Sequence, residues 1–522
     1  LYLPVLEKRG EESEILRGEK ILDLVQSSLP QIAGTKKEIW YMKLKKLITG
    51  LDVEIKNAPK NLEITGLCSH SDLVVPGNLF IAKKRGADFI PKAVATGAAA
   101  VLTDIYNPFL AVPQIIHPRP EEIESELANR YYENPSERLS TIAVTGTNGK
   151  TTTSYMFRHI INTLGGACGL IGTIEYDTGA YTRQATLTTP DILTSQKLLS
   201  EMVRHGCTHC ALEASSHGLS QGRLEGVSVD VGIFTNLSQD HLDYHETMES
   251  YADAKAILFS HIEKKGVALI NGDDPASQRM KNGATGAAIT FGMSEGVDVV
   301  IEIERQTLSG TRFSLTFQGE IVNGRIPLVG VYNVYNAVAA SLAAAHFGYP
   351  LNDVVNTLRT FDGVPGRLER VPSKGRCNLF VDFAHTEEAL RAVMNTLKET
   401  AKGKLIVVFG CGGNRDKTKR PKMGQIVDSI ADFAIITSDN PRNEDPSTIC
   451  EEVKRGFLSD NYEICVDREQ AIARAVERAD RDDVVLVAGR GHEPMQLFSG
   501  YSIPFRDSEV AAEILSRKSA LV

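Results

Sequence analysis

Hydrophobic residues fall along this chain in short runs, each ending on glycine or a polar cluster and followed by a stretch of helical spacing. That alternation predicts strands and helices in turn, the pattern of α/β domains built on parallel sheets. In the first block GNLFIA (Gly77–Ala82) predicts a strand and FIPKAVATGAAAVL a helical stretch. VPQIIHPRP reads as irregular and proline-bearing, and YYENPSER as helical. In the second block a β-branched run, Thr141–Thr145, stops at glycine and hands over to a helix. CALEAS, VSVDVGIFTNL and GVALIN predict further strands of a largely parallel sheet, and GVYNVYNAVAASLAAAHFG an alanine-rich helix. In the third block CNLFVDFA, GKLIVVFG, FAIITSD and DVVLVAG each predict strand, loop and helix. A second doubly wound sheet follows, with its ligand site at the carboxyl ends of the strands.

The expected organisation is a three-domain α/β protein. An N-terminal extension (1–35) precedes a small α/β domain (36–138). A central P-loop ATPase-like parallel-sheet domain (139–365) and a Rossmann-like C-terminal domain (366–522) follow. A length of 522 residues supports this division, because a single core does not serve so long a chain.

Composition narrows the function classes. A net charge of −9 argues against a generic nucleic-acid surface, though not against an anionic ligand in a local basic cleft. No apolar run is long enough to predict a membrane span. The opening residues alternate apolar and charged groups, unlike a signal peptide, and begin with Leu1, which suggests a processed or shortened start. Eight thinly spread cysteines suggest a reducing compartment, and a cytoplasmic monomer is expected. Cys207 and Cys210 form an isolated C-x-x-C that reads as two small buried hydrophobes more readily than as a metal or redox site.

The strongest chemical signal is Gly146-Thr147-Asn148-Gly149-Lys150-Thr151-Thr152. Its glycines let backbone N–H groups close around phosphate oxygens, and the following helix points its positive end at the same anion. Lys150 supplies charge for terminal phosphates, and the Thr151 hydroxyl can ligate Mg²⁺. Val144 stands where the commoner phosphate loop has its first glycine. The loop alone does not separate kinase, GTPase, ATPase and ligase.

Other segments do. Glu213-Ala214-Ser215-Ser216-His217-Gly218-Leu219, the run Thr235 to His245, and Tyr251-Ala252-Asp253-Ala254-Lys255 come in order after the loop. Asn333 to Asn336, Gly366-Arg367 and Asp382-Phe383-Ala384-His385-Thr386 continue the series. Gly410 to Asp416 with Lys419-Arg420-Pro421, then Asp439-Asn440-Pro441-Arg442 and Gly489-Arg490-Gly491-His492-Glu493, complete it. Together with TGTNGKTTT, these segments resemble the Mur ligase family, and most of all its diaminopimelate-adding branch. The resemblance implies an ATP-dependent ligase that adds meso-diaminopimelate to UDP-MurNAc-L-Ala-D-Glu through an acyl phosphate. It also implies Mg²⁺ as cofactor, ATP as co-substrate, small-molecule partners only, and a first domain that binds the UDP-sugar.

The same resemblance implies roles residue by residue. Gly146, Thr147, Asn148, Gly149, Lys150, Thr151 and Thr152, with Asn333, Arg367, Asp382 and His385, would bind ATP. Lys150, Glu213, His241 and Lys255 would be catalytic. Thr151, Glu213, His241 and Lys255 (as an N6-carboxylysine) would hold metal. Ser71, Thr188, Thr189, Ser215, Gln221 and Arg223 would contact the UDP-muramyl dipeptide. Arg415, Asp439, Asn440, Pro441, Arg442, Gly489 and Glu493 would contact diaminopimelate. Taken without the resemblance, Glu213 reads as a helix cap or solvated acid, and His241 as a structural hydrogen-bonder. Lys255 reads as a solvent-facing lysine and Arg442 as a surface turn residue. The chain departs from the family pattern at Leu187, at His70 and Asp72 around Ser71, and at Glu387-Glu388, where Pro-Asp is usual. Rival readings are a folylpolyglutamate synthase, a non-catalytic ligase-like scaffold and a lysine-adding variant. The third-block motifs argue against the first, the retained catalytic groups against the second and Arg442 against the third.

Overall fold

The computed structural model describes residues 41–84, 86–373 and 377–519. The expected extension over residues 1–35 lies outside the described residues. Three α/β sheets follow one another along the chain. The first is five-stranded, in the order Glu54–Lys56, Gln114–Ile116, Ala100–Thr103, Asn78–Ile81, Gly66–Cys68, parallel except at the Glu54–Lys56 edge. Three expectations are corrected here. The stretch expected to be helical ends as a helix at Thr96, where Gly97 takes a left-handed conformation, and its AAAVL tail runs into the strand Ala100–Thr103. Small and β-branched residues fit a fully buried strand, and periodicity over so short a run does not separate it from a helix. VPQIIHPRP likewise contains the strand Gln114–Ile116, and the helix in YYENPSER stops at Tyr132 because Glu133 and Asn134 are both left-handed.

The central sheet has eleven strands. Its middle is parallel, in the order Cys168–Ile171, His209–Glu213, Ser140–Thr145, Val229–Phe234, Ile262–Asn271, Ala287–Gly292, Val299–Thr307. Antiparallel hairpins flank both ends, so the sheet is mixed rather than purely parallel. Successive residues of its middle strands face opposite cores. Ile142, Leu170, Ala211, Ile233 and Leu269 pack on one side, and Ala143, Ile171, Leu212, Phe234 and Ile270 on the other. Burial on both faces explains why these strands read as continuous apolar runs. The alanine-rich helix, Val331–His346, packs against the helix Lys150–Thr163 on the first of these faces.

The third sheet runs Glu369–Val371, Asn378–Asp382, Val484–Ala488, Leu405–Phe409, Phe433–Ile436, Tyr462–Ile464, parallel but for its first strand. It too has a core on each face. All eight cysteines are buried, Cys207 and Cys210 among them. Among the described residues no helix is long and apolar enough to cross a membrane. Leu269 is 1% exposed in the strand beside Val229–Phe234, so Leu269→Ala leaves a cavity that neighbouring strands cannot close. Urea unfolding of the variant is expected to show a loss of about 2–5 kcal/mol.

Candidate active site

The phosphate loop leaves the central strand Ser140–Thr145 and enters the helix Lys150–Thr163. Gly149 sits at φ 90°, and a Cβ there would lie 2.4 Å from Asn336 Oδ1, so both backbone and space require glycine. The loop's outline is set by the next strand's end. Thr147 N donates to Asn236 O (2.8 Å), Asn148 N to Asn236 Oδ1 (3.0 Å), and Thr235 Oγ1 to Asn148 O (2.5 Å). Lys150 Nζ arches back onto the carbonyls of Gly146 and Thr147, at 2.7 and 2.9 Å.

Glu213 ends the neighbouring strand and is 1% exposed. Its carboxylate accepts from Thr151 Oγ1 (2.9 Å), Thr173 Oγ1 (2.8 Å) and Thr173 N (2.9 Å). It is therefore neither a helix cap nor a solvated acid. Lys255 is also only 1% exposed, with its ammonium 4.2 Å from the centre of the Tyr251 ring. That overturns the solvent-facing reading drawn from helical spacing alone. Among the described residues no carboxylate comes within ion-pair distance of it. Burial, with the Lys150 charge adding to it and Asp240 opposing, holds the Lys255 amine well below the usual lysine range. Burial also lowers Lys150, with Glu213 opposing and Arg367 adding.

Lys150, Glu213, Lys255, Asp240 and Arg367 thus act on one another in one neighbourhood. His241 borders it, with Nε2 3.6 Å from Asp240 Oδ2 and its ring 6.3 Å from that of Tyr251. His217 and His245 pack around the same Tyr251–His241 wall. Sequence reasoning gave no role to Asp240, Tyr251, Asn336, His217 or His245, although all lie inside or beside the motifs. Thr173 had no signal beyond a polar residue after a strand.

Five residues expected to contact the UDP-muramyl dipeptide form one network. Thr189 Oγ1 donates to Glu213 O (2.7 Å) and lies 3.0 Å from Ser215 Oγ. Thr188 Oγ1 lies 3.1 Å from Thr173 Oγ1, and Arg223 donates to Thr189 O (2.8 Å) and to Gln221 Oε1 (2.6 Å). Ser71 stands apart, buried in the first domain's short 3-10 turn. That domain rests on the helix Ile192–Arg204 through Leu193, which brings it next to the Thr188–Pro190 loop. Two of the unusual residues have local partners. Leu187 uses its backbone, pairing both N and O with Tyr176 Oη, and Asp72 is taken up by Lys92.

From the third domain, Gly366 (φ 66°) meets the backbone of His492 so closely that a Cβ would lie 2.1 Å from its nitrogen. This contact delivers Arg367, whose guanidinium lies 4.7 Å over the Phe383 ring and whose buried Nε has no hydrogen-bond partner. Asp382 accepts from the backbone N–H groups of Leu368 and Ala384, at 2.7 and 2.8 Å. Asn333 donates to Val329 O (2.8 Å) and accepts from Asn336 Nδ2 (3.4 Å), and Asn336 Oδ1 accepts from Thr153 Oγ1 (3.3 Å) on the helix that follows the phosphate loop. His385 is exposed and its Nδ1 lies 2.9 Å from Phe383 O.

The residues expected to bind diaminopimelate lie on three adjacent loops. Arg442 is left-handed at φ 52° and donates to Gly413 O (3.0 Å). It is half-buried rather than a free surface turn. Asn440 Nδ2 donates to Glu493 Oε2 (2.6 Å), and a Cβ on Gly489 would lie 2.7 Å from Asp439 Oδ2. The carbonyl of Pro441 packs against Gly413, and Arg415 is exposed beside Gly412. Burial, then the Asp439 charge, raises Glu493 above the usual carboxylate range.

Residues 144–344 match the Mur ligase middle domain, and residues 366–491 the Mur ligase, glutamate ligase domain. A UDP-N-acetylmuramoyl-L-alanyl-D-glutamate–2,6-diaminopimelate ligase of Chlamydia felis is 42% identical over 485 residues, 91% of this chain and 99% of the relative. A protein of the same name from Bacillus cereus is 38% identical over 487 residues, with the same coverage. A solved structure of a ligase of that name aligns with TM-score 0.67 and 32% identity, covering 92% of this chain and 99% of that one. A folylpolyglutamate synthase of Mycobacterium tuberculosis, at 16% identity and TM-score 0.57, covers 76% of this chain and 94% of its own, and shares the fold.

His492 carries a pH consequence. Its Nδ1 is buried without a partner, and burial, with Arg367 and Arg506 adding, lowers its pKa to about 4. Between that value and the ordinary histidine range the unfolded chain binds a proton that the folded one refuses, so stability falls as pH drops through this window. The loss should reach at most about 3 kcal/mol. Unfolding titrations of His492→Gln are expected to show a shallower decline from pH 6.5 to 4 than the parent.

Proposed function

This chain belongs to the Mur ligase family, and from that premise we propose that it joins meso-diaminopimelate to UDP-N-acetylmuramoyl-L-alanyl-D-glutamate at the expense of ATP, in peptidoglycan precursor synthesis. The observation that carries the proposal is the convergence of Lys150, Glu213, Lys255 and Arg367 on one neighbourhood, which the Glu493 loop reaches through the contact of Gly366 with His492 and the Arg442 loop through Asn440 and Glu493. The chemistry asks that two anions, a carboxylate and a polyphosphate, be held in line. The carboxylate oxygen attacks the terminal phosphorus, the bond to ADP breaks, and an acyl phosphate forms. The amine nitrogen then attacks the acyl carbon, the bond to phosphate breaks, and the nitrogen gives up a proton. Both steps concentrate negative charge, so fixed cations in a dry cleft stabilise them more than water does.

Lys150 and the loop N–H groups bind the phosphates of ATP. Asn333, Arg367, Asp382 and His385 complete the nucleotide site from the second and third domains. Arg367 enters from the third domain with an unpartnered Nε, which suits a group that meets its anion only when substrate is bound. Thr188, Thr189, Ser215, Gln221 and Arg223, with Ser71 from the first domain, hold the nucleotide-linked peptide. Arg442 grips the distal carboxylate of diaminopimelate, Glu493 its ammonium, and Asp439, Asn440, Pro441, Gly489 and Arg415 shape the pocket.

Mg²⁺ fits this cleft. The buried Glu213 carboxylate and the Thr151 hydroxyl lie 2.9 Å apart at the mouth of the phosphate loop. Among the described residues no three His, Cys, Asp or Glu side chains converge into a cage. Mg²⁺ does not ask for one, because it is usually held by one or two carboxylates together with substrate phosphates and water. Thr151, Glu213, His241 and Lys255 as its carbamate would hold it, and the ion supplies neutralising charge to the phosphates. The carbamate reading is supported by Lys255 itself. A buried amine that holds its proton poorly presents a lone pair to CO₂; an N–C bond forms, a proton leaves, and the neutral amine becomes an anion. ATP use and nucleotide-linked substrates place the reaction in the cytoplasm, and its product feeds the wall on which cell shape and division depend.

The test is ADP formation by the purified protein with UDP-MurNAc-L-Ala-D-Glu, comparing diaminopimelate with lysine. Turnover with diaminopimelate is expected; ADP release with lysine alone would overturn the reading. Arg442→Ala is expected to lower kcat/KM for diaminopimelate at least tenfold, about 1.4 kcal/mol, and unchanged kinetics would refute its assignment. Lys255→Ala is expected to lose activity by about a hundredfold or more and to regain part of it with a short carboxylate. Full activity without rescue would rule out the carbamate.

A further inference from the structure

The loops that carry Arg442 and Glu493 leave strands that are not neighbours. Phe433–Ile436 and Val484–Ala488 are separated by Leu405–Phe409, which puts the two strand ends about 10 Å apart. One buried guanidinium bonds to both strand ends. Arg468, the first residue of the helix Arg468–Arg478, is fully buried. Its NH1 donates to Ser438 O (3.2 Å), and its NH2 to Ala488 O (3.0 Å). Ser438 immediately precedes Asp439, and Ala488 immediately precedes Gly489. On its other edge the same guanidinium donates through Nε and NH2 to the two oxygens of Asp507, each at 2.8 Å. Asp507 opens the final helix and is itself fully buried.

Stability alone does not call for this arrangement. A buried ion pair is often no more stabilising than apolar side chains of the same volume. What apolar groups lack is direction. A guanidinium carries five donors in a rigid plane, so four acceptors from three elements fix one another's positions. From this geometry we infer that Arg468 is a positioning residue that sets the separation of Arg442 from Glu493, and so the preference for diaminopimelate over lysine. The inference rests on the proposal that those two residues grip the distal centre of diaminopimelate. Lysine has the distal amine but no distal carboxylate, so only diaminopimelate needs both groups at one spacing. The charges of Asp439 and Glu493 also act on Arg468.

The test is steady-state kinetics of Arg468→Gln with ATP, the nucleotide-linked dipeptide and each amine. KM for diaminopimelate is expected to rise at least tenfold, KM for ATP to stay within twofold, and the diaminopimelate-over-lysine ratio of kcat/KM to fall about tenfold. Arg468→Lys, which keeps the charge without the fork, should restore only part of that preference. Should Arg468→Gln fail to fold, Asp507→Asn carries the same readout, since it frees one edge of the guanidinium. An equal loss for every substrate, or an intact preference for diaminopimelate, would overturn the inference. Arg442→Ala separates the two claims. If it leaves KM for diaminopimelate unchanged, the pocket assignment fails. If it raises that KM while Arg468→Gln does not, only the positioning role fails.

Discussion

A fully buried lysine beside a half-buried one, with few carboxylates to balance them, is the constraint around which this molecule is arranged. Lys150 raises the cost of charging Lys255, and Arg367, from another domain, raises the cost of charging Lys150. Glu213 and Asp240 oppose them but do not pair with them directly. Such a cleft is costly when empty of anions, because charge without a partner in a low-dielectric site is poorly solvated. A polyphosphate and a carboxylate relieve that cost. The cations at Lys150 and Arg367 that weaken the empty site are therefore what draws two repelling substrates into contact.

Each domain contributes what the others cannot. The central sheet ends its middle strands on one side, so the phosphate loop, Glu213 and the Thr235–Ser238 segment arrive together from consecutive positions across it. The third domain supplies Arg367 through a glycine contact so tight that no side chain fits at Gly366. A site assembled from two rigid sheets and one close backbone contact leaves relative domain position as the variable that completes it.

The fold and the phosphate loop were legible in the sequence because their signals are local. A buried parallel strand is a continuous apolar run, and a phosphate loop is a glycine turn between strand and helix. The misread segments failed for a physical reason. AAAVL and the short Gln114–Ile116 run are too brief for periodicity to choose between helix and strand, and proline flanks masked the second. Lys255 was illegible from its own helix, whose spacing is that of any half-exposed helix; its ammonium is covered by the Tyr251 ring, whose hydroxyl reaches Thr147 of the phosphate loop. Only the resemblance across many motifs pointed to it. Thr173 and Arg468 show the same limit, since each acts through atoms far away in the chain.

The departures from the family pattern show how little of such a pattern is chemistry. Where Pro-Asp is usual, Glu387 and Glu388 open the helix Glu387–Thr400, and Thr386 caps it by accepting from Ala389 N at 3.3 Å. Proline at a first helical position presets the backbone and gives up a donor that has no partner there anyway. An acid at the same position keeps the helix start by a different means, its charge lying against the positive end of the helix. Leu187 contributes through its backbone, so its side chain is free to vary. The Gly366, Gly149 and Gly489 positions have no such alternative, because a Cβ at each would displace a neighbour that shapes the site. Position-by-position tolerance in this chain thus follows from whether a residue's job belongs to its side chain, its backbone or the space it leaves empty.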